Sequence, residues 1–247
     1  MIQRSQLSCR AIGRPVALVG YDGRVETFAD IDALRPLAAS FFTADPREVA
    51  PALLGTVLVS QVGGTKTGGV IVEAEAYLGA EDPGSHAATR SVTARNIVMY
   101  GPPGSVYVYF AYGNHHMVNL VCGPEGEAGA VLIRALEPAV GIETMKARRG
   151  GRSLHELTNG PGKLAQALGV TLADNGTLLG EGHLIVYDGS APRGEEIAVS
   201  GRVGLSAGHD LHLRYYVKGC PFVSRGRTGA VRRSPRSEQA WEGRTRR

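Results

Sequence analysis

The sequence predicts an α+β fold, and three observations carry the prediction. Glycine is abundant, 34 of 247 residues, which favours tight turns and bulges over long helices. Segments 69–78, 105–111 and 130–136 alternate or run apolar at strand length. The helical patterns between strands are short and carry their own start and stop signals. With 43% hydrophobic and 20% charged residues, the chain has the composition of a folded domain with room for one sizeable core.

Taken in order, residues 1–34 read as an N-terminal extension, in which Val16–Val19 and Val25–Phe28 flank an Asp22-Gly23 hairpin signal. Asp45-Pro46 is an N-cap and N1 pair opening a helix over Arg47–Leu54, stopped by Gly55. Thr56–Gln61 reads as a strand. Gly69–Leu78 is the most informative one: Val70, Val72, Ala74, Ala76 and Leu78 share one face, and Ile71, Glu73, Glu75 and Tyr77 the other. Ser105–Ala111 turns through Gly113-Asn114 into His116–Cys122. Ala130–Leu136 is a further strand, ended by Glu137-Pro138. Gly141–Arg149 and Gly162–Leu168 read as short helices, and Leu184–Tyr187 and Leu213–Val217 as strands. From Arg225 onward large apolar residues nearly vanish, which predicts a disordered basic tail over 225–247.

That tail explains the charge. It holds eight arginines against two glutamates, a net +6, whereas the other 224 residues carry 19 basic and 21 acidic groups, a net −2, within an overall +4. Non-specific attraction to phosphate backbones and simple solubility are both open for it. A slightly acidic body can bind nucleic acid only through well-placed cations, and Arg90, Arg95, Lys146, Arg148, Arg149, Lys163, Arg214 and Lys218 are the candidates for a pocket rim. Cys9, Cys122 and Cys220 make neither a disulfide framework nor a zinc ribbon. His115-His116 and His209-x-x-His212 lack the carboxylate or cysteine company of a metal site, so no metal and no other cofactor is expected. The uncharged stretch from Asn96 to Pro124 is broken by Pro102-Pro103 and Gly113-Asn114 into strand-length pieces. No membrane span or signal peptide is therefore expected, and the protein is expected to be cytoplasmic.

Several residues could carry chemistry. Glu73 and Glu75 on one strand face fit either a general-base site or a solvated face of a half-buried sheet. Tyr107 and Tyr109 lie opposite Val106, Val108 and Phe110, which already supply core material, so their rings are available to stack a flat ligand. Asn119 sits inside an apolar strand and must satisfy its hydrogen bonds or face a polar cavity; Arg134 sits in another and needs a partner, for which Glu75 is a candidate. Gly162 and Lys163 at a helix start could meet a phosphate.

Together these residues resemble a known family. Val72-Glu73-Ala74-Glu75-Ala76-Tyr77-Leu78-Gly79 with Asp82 and His86, Thr93-Ala94-Arg95-Asn96, Gly101-Pro102-Pro103-Gly104, Val106-Tyr107-Val108-Tyr109 with Tyr112-Gly113, Met117-Val118-Asn119, Arg134-Ala135-Leu136-Glu137-Pro138 and Asn159-Gly160-Pro161-Gly162-Lys163-Leu164 resemble the alkyladenine (3-methyladenine) DNA glycosylases, bacterial type, over about residues 37–224. The resemblance implies one α+β domain, over 35–224, built on a curved antiparallel sheet. It implies a monofunctional, monomeric enzyme of base excision repair that flips alkylated or deaminated purines such as 3-methyladenine or hypoxanthine out of double-stranded DNA. The N-glycosidic bond is then hydrolysed and an abasic site is left, without metal or lysine nucleophile. By the same resemblance Glu75 activates the water and Arg134 positions both. Tyr77, His86 and Tyr109 wall the base pocket, and Asn119 disfavours the exocyclic amine of guanine. Tyr112 fills the gap left by the flipped nucleotide, and Glu73 stays structural. Independently of the resemblance, the rim cation Arg95 and Lys163 at its helix start are expected to contact DNA. A non-catalytic binding module on the same fold is the competing reading, and it has no need of Glu75, Arg134 and Tyr109 together.

Overall fold

A computed structural model describes residues 16–19, 25–28, 31–88, 91–111, 113–190, 192, 194–208 and 210–226. In chain order they form β1 (Val16–Val19), β2 (Val25–Phe28), α1 (Pro46–Ala52), β3 (Val57–Val62), β4 (Thr65–Tyr77), β5 (Val106–Ala111), β6 (His115–Val121), β7 (Ala130–Val140), α2 (Ile142–Arg148), α3 (Pro161–Leu168), β8 (Leu184–Tyr187), β9 (Ile197–Ser200) and β10 (Arg214–Val217), with short 3-10 turns between them. The α+β expectation holds. β1 and β2 pair antiparallel with Val16 opposite Phe28, as the Asp-Gly signal predicts.

The main sheet has eight strands, all pairings antiparallel, running β5-β6-β7-β4-β10-β9, with β3 and β8 added beside the first half of β4. β4 is the hub. One edge pairs with β7 along its length, while the other pairs with β3 over residues 65–70 and with β10 over residues 73–75. A strand shared in this way must bend. Register shifts against β7 at Gly68/Gly69, Ile71/Glu73 and Glu73/Ala74 mark the bends and curl the sheet.

Two sequence expectations change here. The alternation on β4 slips by one residue at Val72, so Ile71, Val72, Ala74 and Ala76 all enter the main core. Ile71 therefore does not share the front with the glutamates. β7 also runs past Glu137-Pro138 to Val140, because Pro138 lies opposite Gly69 at a register shift, where no ladder donor is required. A side chain at Gly69 would strike the Glu137 carbonyl.

The core lies between the concave back of the sheet and the helices. Asp45 caps α1 by accepting from the Arg47 amide, and Pro46 opens it. The helix packs Val49 and Ala50 on the same core as Leu164, Ala165 and Leu168 of α3, which ends at Gly169 with φ +73°. β9 and the 3-10 turns have no counterpart among the sequence expectations; a 3-10 turn is too short to show a period. Among the described residues no helix is long and apolar enough to cross a membrane.

Candidate active site

The front of β4 carries two carboxylates with no solvent exposure. This removes the solvated-face reading, since a buried charge needs partners. Glu75 Oε1 accepts from the Val203 amide at 2.8 Å and faces Arg134 Nη1 at 3.3 Å, and its Oε2 accepts from the Tyr77 hydroxyl at 3.0 Å. Glu73 Oε1 accepts from Arg134 Nε at 2.8 Å, Arg214 Nε at 2.7 Å and Ser224 Oγ at 2.8 Å, while its Oε2 accepts from the Ser224 amide at 2.6 Å. Arg134 thus bridges both carboxylates. Burial acts to raise the Glu73 carboxyl, but Arg134, Arg214 and the Ser224 amide outweigh it and hold it below the usual carboxylate range. Burial acts against the Arg134 charge too, and Glu75 and Glu73 override it. Burial, with the Glu75 charge beside it, pushes the Tyr77 hydroxyl well up, so it remains a donor.

A carboxylate offers about four acceptor positions. Glu75 uses two on Oε1 and one on Oε2, which leaves a position on Oε2 beside Tyr77. Tyr77 and Arg134 line a cleft whose inner part is walled by His86, Met99, Tyr107, Tyr109, Asn119 and Leu205. Glu75 lies directly behind Tyr77 and Arg134.

The walls are aromatic. His86 meets Tyr109 edge-on with ring centroids 4.5 Å apart, and Tyr107 lies 5.4 Å from Tyr109. Arg95 places its guanidinium 5.4 Å from the Tyr109 ring centre and donates to His86 Nε2 at 3.3 Å. An arginine can only donate, so His86 Nε2 accepts, and Nδ1–H donates to the Tyr107 hydroxyl at 2.8 Å. Burial, and then the Arg95 charge, lower the His86 pKa to about 4, so the ring is neutral at physiological pH. A histidine neutral in the fold but free to take a proton near 6.5 when unfolded costs stability as pH falls between those values. Urea unfolding is therefore expected to show stability dropping from about pH 6.5 to about pH 4, with a shallower fall in His86→Gln.

Asn119 donates to the Tyr107 and Met117 carbonyls at 3.0 and 3.4 Å. Two carbonyls demand the amide nitrogen, so the side-chain oxygen is the end left for the cleft.

One wall is the segment 202–208, braced from behind. Arg202 and Asp82, neither exposed at all, form a two-pronged ion pair. Arg202 also donates to the Ala76 and Gly208 carbonyls and lies 4.6 Å over the Tyr77 ring, while Asp82 accepts from the Leu78 and Gly84 amides. Burial opposes the Arg202 charge, and Asp82 overrides it. This brace sets the Val203 amide against Glu75 and Leu205 against the cleft.

The structure thus brings together Glu75, Arg134, Tyr77, His86, Tyr109, Asn119 and Arg95. Tyr112 and Arg90 lie outside the described residues. Lys163 is elsewhere: it donates to Asn159 at 2.7 Å and lines a separate cleft with Ser153, His155, Glu156 and Arg225. Two rim expectations are overturned. Arg214 is buried on Glu73 and stacked 4.6 Å over Tyr216, and Arg148 is spent on Thr67 and the Ala167 carbonyl, stapling α2 to α3 and β4. Phe110 is not core material either: it is 48% exposed and rests against His116. Sequence reading missed Arg202, Val203 and Ser224, whose contacts with Asp82, Glu75, Arg134 and Glu73 span 90 to 151 positions. For Arg214 a signal existed, since an arginine in the apolar strand Leu213–Val217 poses the same question as Arg134. Among the described residues no group of three or more His, Cys, Asp or Glu is placed to hold a metal ion.

Residues 40–221 match the family profile described as methylpurine-DNA glycosylase. Relatives from Koribacter versatilis (48% identical over 77% of this chain and 94% of the relative), Methanoculleus marisnigri (49%, over 76% and 98%) and Prosthecochloris aestuarii (47%, over 75% and 89%) each carry the name "Putative 3-methyladenine DNA glycosylase". The family profile and these relatives' names place the chain among the hydrolases. The chain belongs to the methylpurine-DNA glycosylase family, and it is accordingly a DNA glycosylase, an enzyme of DNA repair.

Proposed function

We propose that this enzyme, acting as a monomer, excises alkylated purines, 3-methyladenine foremost, and deaminated purines such as hypoxanthine from duplex DNA, leaving an abasic site. The observation that carries the reading is Glu75, fixed by Val203, Tyr77 and Arg134 directly behind an aromatic cleft. In this reading the extruded purine lies between Tyr77 and the His86–Tyr109 pair, and Tyr112 fills the gap in the duplex. Glu75 Oε2 takes a proton from water as that water attacks C1′. The negative charge of Glu75 stabilises the oxocarbenium-like sugar as the base departs with the bond's electron pair. A purine cationic from methylation leaves without a second acid, and it gains from electron-rich rings and a neutral His86. In this reading Asn119, which lines the cleft, discriminates among purine edges. The relatives' names support 3-methyladenine as substrate.

The test is an excision panel of duplexes carrying 3-methyladenine, 7-methylguanine, hypoxanthine or ethenoadenine, followed by alkaline cleavage and chromatography of the freed base. Release of 3-methyladenine with no strand break before alkali is expected. Binding without release, or equal turnover of free nucleosides, overturns the reading.

The tail allows a separate check. Deleting residues 226–247 removes seven arginines and is expected to weaken duplex binding and flatten the salt dependence of log K by up to about 6, at ~0.9 per phosphate contact, without abolishing excision. An unchanged slope would show that the tail makes no phosphate contacts.

A further inference from the structure

The catalytic pair does not stand on β4 and β7 alone. The segment Cys220–Ser224 follows β10 and buries alternate residues: Cys220 and Phe222 enter the main core, and Ser224 turns to the carboxylates. Every polar group of Ser224 is used. Its amide and hydroxyl donate to the two oxygens of Glu73, its carbonyl accepts from Arg214 Nη2 at 3.4 Å, and its hydroxyl oxygen accepts from Arg134 Nη2 at 3.1 Å.

The consequence lies in Arg134. Its guanidinium is a rigid planar fork, and three of its nitrogens have different partners: Nε on Glu73, Nη2 on Ser224 and Nη1 on Glu75. Two anchor points away from the reacting side fix the plane, and the plane fixes where Nη1 sits against Glu75. Without Ser224 the guanidinium keeps Glu73 as its one anchor away from the reacting side, and its only other partner is Glu75, the group it has to hold in place. Ser224 also lies beyond the span 40–221 that defines the family match.

We propose that Ser224 is a positioning residue for excision, holding the Arg134 plane and, through it, Glu75. The proposal rests on the reading of Glu75 and Arg134 given above. Misplacement of a catalytic group by about 1 Å is worth roughly 10²-fold. Ser224→Ala is therefore expected to lower single-turnover excision of a 3-methyladenine duplex by about ten- to a hundredfold, at an unchanged Kd for that duplex.

The test measures single-turnover rate and duplex Kd for wild type, Ser224→Ala, Ser224→Thr, Glu75→Gln and the Ser224→Ala/Glu75→Gln double variant. Threonine keeps the hydroxyl and is expected to restore most of the rate. In the Glu75→Gln background Ser224→Ala is expected to add no further loss, because the group it positions is already gone. A wild-type rate in Ser224→Ala overturns the proposal, and so does a loss that multiplies with that of Glu75→Gln or that threonine fails to restore. Should Glu75→Gln itself excise normally, the underlying reading of the site fails instead, and the two failures are told apart in one series. Should Ser224→Ala not fold, Ser224→Thr and Ser224→Cys serve, the thiol being a poor acceptor for Arg134: a deficit confined to cysteine supports the proposal, and equal rates overturn it.

Discussion

Glu75→Gln is expected to bind lesion-bearing duplex as the wild type does and to excise it about 10²–10⁴-fold more slowly, the usual scale for removing a general base. The substitution is nearly isosteric. The glutamine oxygen can still accept from Val203 and Arg134 in the place of Oε1. What disappears is the negative charge and the basic oxygen beside Tyr77. Arg134 then keeps only Glu73 as a full counter-charge, so a modest fall in melting temperature accompanies the kinetic loss. Single-turnover excision at saturating enzyme, paired with a gel-shift Kd, separates the two effects. A rate within threefold of wild type would remove Glu75 from the chemistry.

Arg202→Met is expected to cost about 3–5 kcal/mol of stability, the range found when one partner of a buried pair is deleted. Asp82 would remain, with no solvent exposure and no counter-charge. The loss extends beyond the pair, because Arg202 also ties the Ala76 and Gly208 carbonyls and covers the Tyr77 ring. For a domain of this size the loss corresponds to a fall of roughly 6–20 °C in melting temperature. Excision is expected to fall with it, since Val203 is the next residue and its amide holds Glu75. The double variant Asp82→Leu/Arg202→Met should recover part of the stability, having no orphaned charge. Urea unfolding of the three proteins measures this, and a loss below ~1 kcal/mol in Arg202→Met would show that the pair does not brace the segment.

What was legible in the sequence is what period and local chemistry can express. The strand fronts show Glu75 and Tyr77 together because side chains two apart share a face. An arginine and an asparagine inside apolar strands announce a polar need, and Arg134 and Asn119 meet theirs in the cleft or beneath it. The short helices announce themselves through Asp45-Pro46 and Gly169. What could not be read is pairing across the chain. Asp82 and Arg202 lie 120 residues apart, and Glu73 and Ser224 lie 151 apart. A single serine or arginine in a loop has no period to betray it. The bulge at Val72 shifts the alternation by one residue, and only the curl of the sheet requires it. Counting cations likewise misplaces Arg214 and Arg148, whose charges are spent inside the molecule.

In the proposed function an extruded purine enters the cleft with its glycosidic carbon turned toward Glu75. The most direct measurement is a crystal structure of Glu75→Gln bound to a duplex with one central hypoxanthine, a lesion stable enough to survive crystallisation. The account predicts the purine between Tyr77 and the His86–Tyr109 pair, its edge against Asn119, with an ordered water between C1′ and the side chain at position 75. A purine still stacked in the duplex, or lodged away from this cleft, would contradict it.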